Sequence, residues 1–180
     1  MKRTIIAGAL IVLVSCNSSA PEQAKTEIKD AAVESSSPPM AKVLPESETQ
    51  IIRDGIKAYS DGNLESFLAV MDDNVKIYYP GPGDSLVGKD AIKAFFKNRT
   101  DSVVTAEAIN PTYLAVDVPP GMTAGPGKWV MAWYIWNIKY KNGKTARFPI
   151  QVTEHVNEAG KIDLGIWYYD MARAYANKPK

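Results

Sequence analysis

Two side chains near the end of the chain have the chemistry for proton transfer. His155 is the only histidine in the sequence, and imidazole is the side chain that exchanges protons most readily near neutral pH. Asp170 ends an apolar run in which Ile162, Leu164 and Ile166 alternate with other residues, and a carboxyl group beyond aliphatic neighbours is expected to have a raised pKa. Both residues are therefore candidates for general acid–base catalysis.

Each candidate also has a purely structural alternative. His155 precedes the turn-forming segment Asn157-Glu158-Ala159-Gly160, where a histidine at a strand end is often exposed and without a task. Asp170 can serve as a cap or pair with Arg173 or Arg147 at the end of its strand. The residue types alone leave both alternatives open.

Aromatic residues are numerous enough to line a pocket for a flat or cyclic ligand. An alternative role for aromatic residues on strands is simple packing in a core or interface. The candidate ligand-binding residues are Tyr78, Tyr113, Trp133, Trp136 and Tyr168.

The sequence disfavours metal, nucleotide and nucleic-acid chemistry. One histidine and one cysteine cannot make a zinc site, and no phosphate-cradling glycine motif is present. Basic and acidic side chains are nearly balanced, which offers no electrostatic footprint for nucleic acid. We therefore expect no cofactor, no metal and no nucleic-acid partner.

The N-terminus has the features of a bacterial lipoprotein leader. The basic residues Lys2 and Arg3 precede an apolar run, 4–14, which is too short to cross a bilayer as a helix. The run stops at Leu13-Val14-Ser15-Cys16, and Cys16 is the only cysteine in the chain. Residues 1–15 are thus predicted to be a signal peptide, with lipid on Cys16 as the membrane anchor. The alternative is an ordinary signal peptide with a chance cysteine.

The predicted location is the bacterial cell envelope. Asn17 follows the lipidated cysteine in place of the aspartate that retains lipoproteins in the inner membrane of enteric bacteria, which favours the outer membrane. Residues 16–45 are rich in Ser, Ala, Pro, Glu and Lys and are predicted to be a disordered tether. Every aromatic residue lies beyond residue 58, so residues 46–176 are predicted to form one domain.

The first half of this domain has helical patterns. Apolar spacing predicts a helix over 47–60, a second from Leu64 to Met71 capped by Asn63, and a third that Asp90 opens. A strand is predicted at 75–79, between the second and third helices.

The second half alternates like strands. Strands are predicted at 103–118, 129–140, 145–156 and 162–171, with a type I′ turn at Asn142-Gly143. The strand at 129–140 is apolar on both faces, which indicates a central strand. Helices can cover only one face of such a sheet, so we expect a second copy of the chain to cover the other in a homodimer.

The order of these elements resembles the nuclear transport factor 2-like superfamily, and in particular its SnoaL-like branch. The residues that carry the resemblance are 59–68, with the turn Asp61-Gly62-Asn63, then Met71-Asp72-Asp73-Asn74-Val75, Gly160-Lys161-Ile162 and Tyr168-Tyr169-Asp170. The resemblance implies an α+β fold: a cone-shaped roll of three N-terminal helices packed on a curved, mainly antiparallel sheet, with a pocket between them.

The resemblance also implies what chemistry to expect. In SnoaL-like cyclases and ketosteroid isomerases an acid or base in the cone, commonly a carboxylate, removes a proton beside a carbonyl, a role that Asp170 would take here. The sequence departs from both enzyme patterns, because no second carboxylate or Tyr–Asp pair can be placed as a set of oxyanion donors.

Three functions follow from these observations. The sequence favours a pocket that binds a small apolar or amphipathic ligand without catalysis. The alternatives are an isomerase, cyclase or dehydratase that uses Asp170 and His155, and a protein-interaction module that uses the exposed sheet face.

Overall fold

The computed structural model describes residues 40–179 apart from residues 82 and 84. The predicted signal peptide, Cys16 and most of the predicted tether lie outside the described residues. None of the described helices has the length and hydropathy needed to cross a membrane.

Four α-helices occur among the described residues, which corrects the expected three. A 3-10 turn, Glu46–Thr49, precedes the first of them. The helices are α1 (Gln50–Asp61), α2 (Leu64–Ala69), α3 (Gly88–Ser102) and α4 (Met171–Tyr175). Helix α4 has only one turn, so it is too short to produce an apolar period in the sequence.

The strands form one seven-stranded sheet in the order β1-β4-β5-β6-β7-β2-β3. Strands β2 and β7 pair in parallel, and all other neighbours are antiparallel. The strands are β1 (Lys42–Val43), β2 (Met71–Tyr78), β3 (Ser85–Val87), β4 (Val103–Val118), β5 (Gly127–Tyr140), β6 (Thr145–Val156) and β7 (Ile162–Tyr169).

Strand β5 lies between β4 and β6, so the prediction of a central strand is confirmed. Strand β1 lies within the range predicted to be tether. It pairs with β4 through Lys42 and Asp117, so the sheet includes residues that precede the predicted domain boundary at residue 46.

The structure confirms one predicted feature at a turn and corrects another. Helix α1 ends at Gly62, whose φ of 72° is left-handed, and the side chain of Asn63 then accepts a hydrogen bond from the Ser66 N–H at 3.0 Å. The turn between β5 and β6 is not type I′. A type I′ turn needs a positive φ at both central residues. Gly143 has a φ of 81°, whereas the φ of Asn142 is not positive.

The inner face of the sheet packs against the helices. On β6 every second residue is buried on this face, from Ala146 to Val156. A register shift where β6 meets β7 leaves Asp163 as an extra residue between the pairs His155–Leu164 and Val156–Ile162. The alternation assumed from sequence is therefore interrupted: Ile162 faces inward, whereas Leu164, Ile166 and Tyr168 face outward.

Candidate functional site

A cavity of about 530 Å³ lies between the inner face of the sheet and helices α1, α2 and α3. Its walls are rich in aromatic residues, and neighbouring rings contact one another: the centroids of Tyr59 and Trp136 are 5.4 Å apart, and those of Phe95 and Trp167 are 5.6 Å apart. Such a volume is in the range of small-molecule sites. The cavity lies where the family resemblance implies a pocket.

Glu154 on β6 is the one carboxylate among the described residues that line this cavity. Its side chain is buried, with 5 % of the residue exposed, and its Oε1 accepts a hydrogen bond from the Trp167 Nε1–H at 3.1 Å. Burial raises the pKa of Glu154 to about 7, against the smaller opposing effect of the Trp167 hydrogen bond. The group can therefore both accept and release a proton near neutral pH.

The sheet register fixes the position of Glu154. Its neighbours in register are Val130 on β5 and Gly165 on β7. A side chain at Gly165 would meet Ile77 Cδ1 at 2.5 Å, and its Cβ would lie 3.5 Å from the Trp167 Nε1. Glycine at this position thus leaves the space in which the indole reaches the carboxyl group.

Three tyrosines that line the cavity, Tyr59, Tyr134 and Tyr169, remain protonated at neutral pH. Burial is the largest cause that raises the pKa of each phenol above its usual value. For Tyr134 the charge of Glu154 adds to the effect. Tyr169 already forms a hydrogen bond with Tyr175, whereas the phenols of Tyr59 and Tyr134 can donate to a bound molecule. None of the three acts as a base at neutral pH.

The cavity opens between the C-terminal end of α3 and helix α4, where the exposed residues Asn98 and Tyr175 belong to its lining. Helix α4 is held there by Tyr140, whose Oη donates to the Ala174 carbonyl at 2.5 Å. Just beyond α4, Asn177 Nδ2 donates to the Thr145 carbonyl at 2.7 Å. We refer to this opening as the mouth.

The predicted acid–base pair is not brought together at this cavity. His155 lies on the outer face of β6, where its Nδ1 is 2.6 Å from Asp163 Oδ1 and its ring contacts Trp129. Asp170 is the N-cap of α4 and accepts a hydrogen bond from the Arg173 N–H at 3.1 Å. Neither residue lines the cavity, so Asp170 has the structural role that the sequence left open.

The five aromatic residues predicted to bind a ligand do not lie in one site either. Trp136 lines the cavity, whereas Tyr113 lies under the Arg53 guanidinium, 3.9 Å from ring centroid to Cζ. Tyr78, Trp133 and Tyr168 are 41 %, 37 % and 56 % exposed. The last two line a shallow groove on the outer face together with Asp170. Strand alternation explains the division, since Trp133 and Trp136 point to opposite faces of β5.

The sequence analysis did not identify Glu154, although a signal was present. The buried positions of β6 are Ala146, Phe148, Ile150, Val152, Glu154 and Val156, and five of these six side chains are apolar. A carboxylate in an otherwise apolar alternating stripe is costly to bury and thus marks a candidate site. Among the described residues, no three potential metal ligands come together.

Comparison with known proteins gives matches in structure but not in sequence. No protein-family model matches the chain, and no curated protein matches it. A candidate polyketide cyclase from Pseudomonas putida superposes with a TM-score of 0.59 at 18 % identity, covering 73 % of this chain and 98 % of that one.

Two further solved structures agree. A nuclear transport factor 2-like protein of unknown function from Burkholderia pseudomallei has a TM-score of 0.57 at 16 % identity, with 73 % of this chain and 97 % of that one covered. A candidate SnoaL-like polyketide cyclase from Shewanella denitrificans has a TM-score of 0.58 at 13 % identity, with 73 % and 96 % covered. This chain therefore has the fold of the nuclear transport factor 2-like proteins.

Proposed function

We propose that this domain is an enzyme in which Glu154 transfers a proton on a small, mostly apolar carbonyl compound. The observation that carries the proposal is the buried carboxyl group of Glu154 in the wall of an aromatic cavity, with a pKa of about 7. The proposed reaction class is the isomerase, cyclase or dehydratase type considered above, with Glu154 in place of Asp170 and His155.

The position of Glu154 is costly to maintain unless it has a use. Burial disfavours its charged form, and Trp167 supplies the one side-chain hydrogen bond that the carboxyl group receives among the described residues. A pocket that only holds an apolar molecule would be more stable with leucine at this position. Catalytic carboxyl groups, by contrast, are commonly tuned toward neutral pH by an apolar site.

The remaining lining suits a reaction beside a carbonyl group. The carboxylate of Glu154 would take the proton from the carbon next to the carbonyl, and the neutral phenols of Tyr59 and Tyr134 could donate hydrogen bonds to the oxyanion that develops. Two of the similar structures described above are candidate polyketide cyclases, which is consistent with this reaction class.

Exchange of carbon-bound hydrogen tests this function without knowledge of the natural substrate. 2-Tetralone is a flat ketone with acidic protons beside its carbonyl, and their replacement by deuterium in D₂O can be followed by NMR. We expect the protein to accelerate this exchange by roughly 10²-fold or more. The accelerated rate should rise with pH and level off above about 7, because the carboxylate form of Glu154 is the base.

Matched variants make the test specific. Glu154→Gln should abolish the acceleration, whereas Glu158→Gln, in the exposed turn after β6, should retain it. His155→Gln and Asp170→Asn should also retain it, since neither side chain lines the cavity. Acceleration that survives in Glu154→Gln, or that disappears in Asp170→Asn, would refute the assignment of Glu154.

A second candidate function is ligand binding without catalysis, the function that the sequence favoured. It is supported by the open cavity of about 530 Å³ and its aromatic walls. The two candidates differ in turnover: a binding protein would take up 2-tetralone, and thereby quench the tryptophans that line the cavity, without accelerating its exchange.

We also propose that the domain is anchored in the cell envelope through lipid on Cys16 and that two copies pair through the outer face of the sheet. Support for the anchor is the leader sequence that ends at Cys16. Support for pairing is the exposure of Trp133, Tyr168 and Tyr78 on a face that no described helix covers. The same exposed face is also compatible with a different protein partner, which a solution measurement distinguishes.

A further inference from the structure

The lining of the cavity carries charges of both signs. Among the described residues that line it, the charged side chains are Glu154, Arg99 and Lys178. Glu154 is buried, with 5 % of the residue exposed, among apolar lining residues. Arg99 is also buried, at 7 %, whereas Lys178 lies at the mouth with the exposed Asn98 and Tyr175. A molecule in the cavity therefore meets a buried acid and two cations, of which Lys178 is at the mouth.

Both cations keep binding capacity. Arg99 donates from Nε to the Tyr59 carbonyl at 2.8 Å and from Nη2 to the Ser60 carbonyl at 2.6 Å, which leaves the donors of Nη1 without a protein acceptor among the described residues. The ammonium of Lys178 lies 5.2 Å from the Tyr175 ring centroid and has no carboxylate within ion-pair distance in the described part of the chain.

Acidic side chains do not neutralise these cations. Burial lowers the pKa of Arg99, and Tyr59 and then Asp61 oppose this with smaller effects. The Asp61 carboxylate is itself paired with Lys57 at 2.5 Å. Asp101, near the end of α3, is paired with Lys97. The positive charge in the wall and at the mouth is therefore available to a ligand.

We infer that the ligand of this cavity is an amphipathic carboxylate: an apolar body lies between the rings, and its carboxylate is held by Lys178 at the mouth and by Arg99 in the cavity wall. The inference concerns the same site as the proposed function and rests on it only for placing the reacting carbon next to Glu154. Lysine and arginine both form charge-assisted hydrogen bonds with carboxylates.

Other arrangements conflict with the charges. The reverse orientation would place the ligand carboxylate beside the buried Glu154, where like charge and desolvation both oppose it. A ligand with a cationic head group at the mouth would face Lys178, with Arg99 also in the wall. A neutral amphiphile would leave both cations without an ionic partner.

Three probes with the same alkyl chain separate these cases: octanoate, octanol and octyltrimethylammonium. We expect calorimetric titration of the purified protein to show that octanoate binds about tenfold tighter than either of the others, the gain of one charge-assisted contact. Lys178→Gln should bring the affinity for octanoate down to that for octanol and leave octanol unchanged. Lys144→Gln is the matched control, because Lys144 lies on the adjacent β5–β6 turn but does not line the cavity.

Equal binding of octanoate and octanol, preference for the ammonium probe, or no binding of any probe would each overturn the inference. Retention of the octanoate preference in Lys178→Gln would overturn the role of Lys178. Glu154→Gln should keep the octanoate preference while it loses proton exchange on 2-tetralone. Failure of the carboxylate inference and failure of the proposed enzyme function are thus observed in different measurements.

Discussion

At the scale of single residues, the proposed proton transfer depends more on the buried environment of Glu154 than on the fact that the residue is a glutamate. The chain has many carboxylates, and most of those described are exposed, whereas this one faces an apolar cavity and receives one hydrogen bond from Trp167. The same burial that makes the group suitable for proton transfer also makes it a burden on the folded state.

The free-energy cost of burying Glu154 depends on pH. The pKa of Glu154 is about 7 in the folded protein against an ordinary value of 4.5. Below the ordinary value the group is neutral in both states. Above it the unfolded chain gains by ionising, so folding stability falls as pH rises and levels off above about 7. The loss amounts to about 3 kcal/mol in the free energy of unfolding.

Glu154→Gln should remove this dependence. We expect the difference in free energy of unfolding, variant minus wild type, to increase by about 3 kcal/mol between acidic pH, near 4, and alkaline pH, near 8. Urea denaturation at a series of pH values measures it. Glu158→Gln, whose residue is exposed, should follow the wild type. A constant difference across this range would contradict the assigned pKa.

At the scale of elements, much of the fold follows from the sequence because long amphipathic segments have clear periods. The bounds of β4 and β6 are those predicted, and β5 was recognised as central from its two apolar faces. Short elements were missed: β1, β3 and α4 have two, three and five residues. Their positions are set by pairing partners distant in sequence, which a local pattern does not reveal.

The candidate site was predicted less well, and the reason is geometric. The extra residue Asp163 changes which side chains of β7 face inward, so Trp167 and Tyr169 line the cavity and Tyr168 does not. On β6 the neighbours His155 and Glu154 point to opposite faces. Choosing between adjacent strand residues requires knowledge of which face is covered, and the sequence of β5, apolar on both faces, does not provide it.

At the scale of the whole molecule, the outer face of the sheet exposes aromatic rings that we propose a second copy of the chain covers. Its exposed rings and the apolar side chains between them suit a self-complementary interface with two-fold symmetry. The inner face needs no partner, because α1, α2 and α3 pack on it.

Sedimentation equilibrium of the chain from Asn17 onward should give twice the monomer mass. Trp133→Arg should convert it to the monomer, since a buried cation without a partner is disfavoured at an interface core. Val104→Arg is the control: Val104 is also exposed, but it lies at the irregular start of β4. A wild type that is monomeric at all concentrations would rule out self-pairing and leave the outer face to a different partner.

The proposed lipid anchor is tested on the full chain. Cells that express the full sequence can be grown with radioactive palmitate. We expect the protein to be labelled and to be recovered in the membrane fraction. Cys16→Ser should remove both label and membrane retention, because the Cys16 thiol is the proposed acceptor of the lipid. Labelling that persists in this variant would show that Cys16 is not the modified residue.

The segment that follows α4 lies beside the opening of the cavity, so additions to the chain after it matter for binding assays. Residues 177–179 follow directly after α4, and Asn177 is fixed to the hairpin that joins β5 and β6 through the Thr145 carbonyl. An affinity tag fused behind them would emerge next to the opening through which small molecules must pass. Tagged preparations would then show weakened uptake for steric reasons, so assays should use a C-terminus without additions.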